Sequence, residues 1–215
     1  MKKQNIILIA FFLSFWIIST ASALSISYEN FNLGVNGLTT QRADADVWTF
    51  DSAIPAAFTS ISGNYHMVSG SQVGYYAAPS GDTSTYLSVP ETGSAGTATV
   101  ELAYKADYLG IYWGSMDLYN WIDFFDGGTS VGTISGAQVA DPSANGDWTN
   151  PGTNRYVNIT GLTFDSFVLN SSQRAFEVDN IAVAAAPVPE PATILLIGTG
   201  LFGIGLAGRR KKFKK

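Results

Sequence analysis

Tyr108-Leu-Gly-Ile-Tyr-Trp113-Gly114-Ser-Met-Asp117-Leu118-Tyr-Asn-Trp-Ile-Asp-Phe-Phe125-Asp126-Gly-Gly128-Thr129-Ser-Val-Gly-Thr-Ile134 contains three short runs rich in aromatic and β-branched residues. Such residues fit a pleated, half-buried surface. The runs 108–113 and 118–125 flank Gly114-Ser-Met-Asp117, and 129–134 follows Asp126-Gly127-Gly128, where glycine tolerates the positive φ of a tight hairpin turn. The segment is therefore predicted to form a hairpin followed by a third antiparallel strand. Outward from it, turn-forming residues recur about every 8–12 positions. Further strands are expected at 24–31, where Leu24, Ile26 and Tyr28 alternate with Ser25, Ser27 and Glu29, and at 47–51, 85–89, 97–104 and 156–159. The closing strand, 175–183, is expected to place Phe176, Val178 and Asn180 on one face and Glu177, Asp179 and Ile181 on the other. No stretch outside the two ends holds a helical period. About nine or ten strands predict an all-β domain over 24–183, an antiparallel β-sandwich of jelly-roll type. A β-solenoid is the alternative, but no fixed repeat supports it.

The chain has 215 residues, 46% of them hydrophobic and only 13% charged, and no cysteine. That length accommodates one ordinary domain with a real core plus terminal segments. Disulfides, thiol catalysis and cysteine metal sites are excluded. A single histidine, His66, excludes His-based metal clusters; between Asn64-Tyr65 and Met67-Val68 it reads as an ordinary strand-edge or loop residue. Eight of the twelve basic residues sit at the extreme ends, so residues 24–186 carry four basic against sixteen acidic groups, a net charge of −12. Such a surface repels phosphate backbones, and no nucleic-acid partner is expected.

The ends are targeting segments. Lys2-Lys3, the apolar run 6–18 and Ala21-Ser22-Ala23 have the order of a secretory signal peptide over 1–23, read by the general secretion machinery. At the other end, residues 192–207 are apolar and are followed by Arg209-Arg210-Lys211-Lys212 and the rest of the basic tail, 209–215. Sixteen helical residues span about 24 Å, short of a ~30 Å hydrocarbon core, and local thinning with snorkelling of Arg209 and Arg210 closes the gap. The expected precursor therefore has a transmembrane helix over 192–207, a cytoplasmic basic stop and an exported middle domain.

The order Pro189-Glu190-Pro191, short apolar helix, basic end closely resembles the PEP-CTERM sorting tail of exopolysaccharide-associated bacteria, over residues 188–215. The resemblance implies processing by an exosortase, a membrane cysteine protease, near 189–191, transient residence in the inner membrane, and delivery to the cell surface or extracellular matrix. Pro189 and Pro191 hold the motif extended and non-helical, as a protease substrate must be. Residues 184–187, Ala-Ala-Ala-Pro, read as the linker. More loosely, Val73-Gly-Tyr-Tyr-Ala-Ala-Pro-Ser-Gly-Asp-Thr-Ser-Thr-Tyr-Leu-Ser-Val89 and Phe176-Glu-Val-Asp-Asn-Ile181 are similar to ectodomains of other exosortase-dependent surface proteins, and the second pattern also to carbohydrate-binding jelly rolls.

That likeness implies a structural Ca²⁺ between first and last strands, with Glu29 and Asp179 as ligands and Asn30 or Asn180 completing an oxygen shell. The plainer role for Asp179 is bonding local backbone N–H groups. Sugar binding needs an aromatic face for the pyranose and polar groups for its hydroxyls. Tyr75, Tyr76, Tyr112, Trp113, Tyr119, Trp121 and Trp148 supply rings, and Tyr112, Trp113 and Trp121, near Asp117, Asn120 and Asp123, are the chosen candidates. Glycoside hydrolysis would need two facing carboxylates, and Asp117 and Asp126 are already explained as turn residues. The expectation is a non-enzymatic surface or matrix protein; the alternative is a module binding the cell's own exopolysaccharide, and a hydrolase ranks third. An anionic polymer would reach the −12 domain across bridging Ca²⁺.

Overall fold

The computed structural model describes residues 23–187, 196–202 and 204. Among these residues lie twelve strands, β1 (Ser25–Glu29), β2 (Phe31–Asn32), β3 (Leu38–Thr39), β4 (Asp46–Trp48), β5 (Phe58–Gly63), β6 (His66–Val68), β7 (Tyr86–Val89), β8 (Gly96–Gly114), β9 (Asn120–Asp126), β10 (Thr129–Ser135), β11 (Arg155–Ser171) and β12 (Phe176–Ala185), with a short helix, α1 (Gly136–Val139), inside the domain after β10. Residues 1–22 of the export segment, Pro189-Glu190-Pro191 and the basic tail lie outside the described residues. Residues 196–202 are helical, and no helix among the described residues is long and apolar enough to cross a membrane.

Every strand pairing is antiparallel, and the two longest strands belong to two layers each. In one layer the order is β10, β9, the second half of β11 (166–171), the first half of β8 (96–102), then β5. In the other it is β1, the first half of β11 (155–160), the second half of β8 (106–114), then β12, whose far edge is taken by β7 and β4, with β6 beyond β7. The crossing lies at the register break between Thr160 and Phe164, beside Gly161 at φ 91°. A β-carbon there would collide with the Ala23 carbonyl, so only glycine fits.

Alternation then fixes the core. Ile122, Phe124, Leu169, Phe167, Ala98 and Val100 of the first layer face Leu109, Ile111, Trp113, Val157, Ile159 and Val178 of the second in one contiguous buried cluster. The antiparallel β-sandwich expected from the sequence is present. The opposite face of the second layer carries Tyr108, Gly110, Tyr112, Tyr156, Asn158, Glu177 and Asp179, and it is covered too. Tyr108 Oη donates to Thr40 Oγ1 at 2.9 Å, Tyr112 Oη to the Ser80 carbonyl, and Gly37 has no side chain because the Tyr112 ring occupies that space.

Three details depart from expectation. Residues 108–113 and 118–125 are not a hairpin: β11 separates β8 from β9, because residues 115–119 carry the chain from one layer to the other. The hairpin that does form is β9–β10, with Gly127 and Gly128 at φ 56° and 77°. Asn180 at φ 50° makes a bulge between Asp179 and Ala182, so the alternation of β12 breaks there and Ile181 returns to the core beside Val178. Finally, Ala184 and Ala185 are part of β12, and the Ala186 N–H still donates to the Lys105 carbonyl at 2.8 Å, so the sheet reaches further into 184–187 than a linker would allow.

Candidate functional site

At the end of β8 the chain must leave the layer, and it does so through a residue in the left-handed region. Ser115 takes φ 37°, donates its N–H to Asn154 Oδ1 at 3.0 Å, and points its hydroxyl at Glu177 Oε2, 2.7 Å away. Glu177 lies at the start of β12, and its other oxygen accepts the Ala77 N–H at 2.9 Å. Burial pushes the Glu177 carboxyl up to about 7, against the pull of those two donors, with the Asp117 charge adding to the rise. One buried carboxyl thus ties residues 71–77 to the end of β8.

Above it opens a cleft of about 400 Å³. Its walls include Tyr75, 48% exposed, and Trp148, 58% exposed, together with Tyr119, Asp117 and Arg174. The Arg174 guanidinium sits 4.4 Å over the Tyr75 ring, its Nε donates to the Gly93 carbonyl, and its own carbonyl accepts the Tyr119 hydroxyl at 2.8 Å. Trp148 is carried by a loop whose turns are closed by Asp147 Oδ1, which accepts from the Thr149 N–H at 2.9 Å, and by Asn154 Nδ2, which donates to the Asp147 and Asn150 carbonyls. Gly146, at φ 69°, lets that loop pass the Asp117 carboxylate: a β-carbon would lie 2.6 Å from Asp117 Oδ1. Burial raises the Asp117 carboxyl above its ordinary value.

The expected ring platforms are elsewhere. Trp113 is fully buried and stacks on Phe176 at 4.6 Å, and Tyr112 is 1% exposed under residues 37 and 80. In adjacent positions of one strand they face opposite layers, and both layers are covered, so neither ring is available to a ligand. Trp121 is half-buried on β9 and donates Nε1 to Asp123 Oδ2 at 3.0 Å; it does not line the cleft. The cleft instead collects Tyr75, Tyr119 and Trp148 from the wider aromatic set, on loops that flank turn residues. Arg174 was legible only as one of four basic residues in an acidic domain.

Glu29 and Asp179 occupy one register row, Glu29–Tyr156–Tyr112–Asp179, three inter-strand steps apart. That is about 14 Å, whereas ligands of one Ca²⁺ lie within about 5 Å of each other. They do not converge on a common ion. Glu29 accepts from Thr40 Oγ1 and the Gln41 N–H instead. Asp179 accepts the Asn180 N–H at 2.7 Å, the local role open to it from the sequence, and its acidic neighbour is Asp82: Ser84 Oγ lies 2.5 Å from Asp82 Oδ1 and 3.3 Å from Asp179 Oδ2. Burial, then the Asp82 charge, pushes the Asp179 carboxyl up to about 9. Asp123 is engaged by Thr133, Trp121 and Asn170, and Asp126 by Lys105.

No curated protein sequence matches the chain. Among solved structures it is similar to CBM32-3 from a family 31 glycoside hydrolase from Clostridium perfringens, at 9% identity and a TM-score of 0.34, covering 58% of this chain and 91% of that one. It is also similar to CpGH89CBM32-6 produced by Clostridium perfringens, at 14% identity and a TM-score of 0.31, covering 58% and 94%. Residues 187–211 match the family described as the PEP-CTERM protein-sorting motif. The β-sandwich thus runs, one residue after its last sheet hydrogen bond, into a PEP-CTERM sorting signal.

Proposed function

We propose that this is an exported, non-enzymatic surface protein, sorted by an exosortase through Pro189-Glu190-Pro191, whose sandwich domain binds a saccharide of the surrounding exopolysaccharide in the Tyr75–Trp148 cleft. The observation that carries the reading is the cleft itself. Two exposed rings stand over a floor of polar groups that are already held in place, in a volume suited to one or two sugar rings. Pyranoses present an apolar face to an aromatic ring and hydroxyls to its surroundings, so this combination matches them. Asp117, Tyr119 and Arg174 are among the wall groups able to bond hydroxyls, with Ser71 and Gln72 beside them in the lining.

Hydrolysis fits less well. Glu177 and Asp117 both line the cleft and both have raised carboxyls, as an acid catalyst requires. Yet Glu177 is 2% exposed and its two oxygens already accept from Ala77 and Ser115, an arrangement that suits a structural group better than an acid catalyst. Its role is to hold the cleft together.

The test is affinity electrophoresis of the detergent-solubilised full chain through gels containing the host exopolysaccharide, beside W148A. Retardation of the wild type but not of W148A is expected. A wild type that is retarded in no polysaccharide gel would remove the saccharide reading and leave a structural surface protein, and equal retardation of both would remove Trp148 from the site.

A further inference from the structure

The described domain holds only four basic residues among its sixteen carboxylates, and three of the four are neutralised. Arg42 pairs with Asp44 at 2.9 Å, Lys105 with Asp126 at 2.5 Å and Arg155 with Asp141 at 3.5 Å. Arg174 is the exception. No carboxylate lies within ion-pair distance of its guanidinium among the described residues, although carboxylates outnumber cations fourfold across the domain. Its side chain is nonetheless fixed, by Nε on the Gly93 carbonyl and by the Tyr75 ring beneath it. The two terminal nitrogens have no hydrogen-bond partner among the described residues, and the residue lines the cleft.

We infer that Arg174 is the specificity residue of the cleft and that the saccharide it selects carries a carboxylate, as a uronic-acid unit of the polysaccharide does. This rests on the saccharide reading above. A stacked guanidinium turns its N–H edge outward as a planar fork, and that fork matches a carboxylate with two parallel hydrogen bonds. In a uronic acid the carboxylate is bonded directly to the pyranose ring, and the Trp148 ring and the Tyr75–Arg174 pair line the same cleft, so one sugar can engage both kinds of group. Burial raises the Asp117 and Glu177 carboxyls above their ordinary values, which lessens the negative charge opposing an anion in the cleft. An anionic sugar therefore has a route to the −12 domain through a resident cation, and bridging Ca²⁺ is not required.

The experiment is calorimetric titration of the detergent-solubilised full chain with oligomers of galacturonate, glucuronate and mannuronate. Each is paired with its neutral methyl ester and repeated in EDTA. At least one acid is expected to bind about tenfold or more tightly than its ester, with the difference lost in R174Q and unchanged by EDTA. The acid–ester comparison on the wild type needs no variant to fold. Acid and ester binding alike, or neutral saccharides binding while every uronate fails, overturns the inference and leaves the saccharide reading standing. Binding of a uronate abolished by EDTA also overturns it, in favour of a bridging ion. If no saccharide binds at all, both readings fall.

Discussion

Ser115 and Glu177, sixty-two positions apart in the chain, share a 2.7 Å hydrogen bond that exists only because Ser115 accepts a left-handed backbone. That bond has a pH signature. The Glu177 carboxyl stands at about 7 in the folded protein and near 4.5 when unfolded, so the native state holds the extra proton between those values. Its contribution is fully present below pH 4.5 and is lost as the pH rises through 7. Thermal melts of the wild type are expected to fall between pH 5 and pH 8, by on the order of 3 kcal/mol from this residue. E177Q keeps an acceptor for Ala77 and reverses the Ser115 bond, its amide N–H donating to Ser115 Oγ, and should flatten that slope. An unchanged slope in E177Q would show that another group carries it.

Asp179 should behave in the same direction over a higher window. Held at about 9 by burial and by Asp82, it is protonated in the folded protein at neutral pH, and the stability it contributes is lost as the pH rises from about 4 through 9. In D179N the amide supplies permanently the donor that the proton supplies to the pair. D179N is expected to melt above the wild type at pH 9 and close to it at pH 5. Melting below the wild type at pH 9 would show that the Asp179 charge is itself stabilising there.

The tryptophans separate core from site. W113A removes a fully buried ring stacked on Phe176 and should cost about 3–5 kcal/mol. W148A removes a ring that is 58% exposed and should change stability by no more than ~0.5 kcal/mol while abolishing retardation by polysaccharide. Chemical denaturation and affinity electrophoresis of the two variants read both effects. Binding lost in W113A at a temperature where it remains folded would place that residue in the site after all.

The contrast shows what the chain makes legible. Period-two alternation and glycine turns identify strands because both depend on neighbours in sequence, and the β9–β10 hairpin is of that kind. The neighbours of β8 on this side, β11 and β12, arrive after forty and sixty-one residues of intervening chain and a layer change at Ser115, none of which leaves a local pattern. Tyr112 and Trp113 look like surface rings because adjacent strand residues face opposite ways, and alternation says nothing about whether both faces are covered. Here residues 36–40 and 77–84 cover the second one. The PEP-CTERM signal is the opposite case: its information is entirely local, and residues 187–211 carry all of it.

Gly146 offers a steric test of the cleft. Alanine at φ 69° costs ~1–2 kcal/mol, and its methyl would meet the Asp117 carboxylate at 2.6 Å. G146A is expected to fold, since the loop is on the surface, but to displace Trp148 and weaken polysaccharide retardation. G146A together with D117A should recover part of the binding, provided that Asp117 is not itself a major ligand contact. Failure of the pair with normal binding in D117A alone would assign the loss to backbone conformation at position 146.

The sorting signal and the cleft lie at opposite ends of β12. Glu177 and Ala185 are eight residues apart in an extended strand, about 26 Å. The proposed processing motif, Pro189-Glu190-Pro191, follows in sequence the end that the Ala186–Lys105 hydrogen bond closes. Replacing 189–191 by Ala-Gly-Ala in the native host is expected to leave an unprocessed chain in the membrane fraction, since the extended proline-fixed substrate is gone. That retained chain should bind polysaccharide with the affinity of the processed form, and mass spectrometry of the two fractions with affinity electrophoresis of each checks both halves. A retained precursor that cannot bind would mean that the anchor or its processing controls access to the cleft.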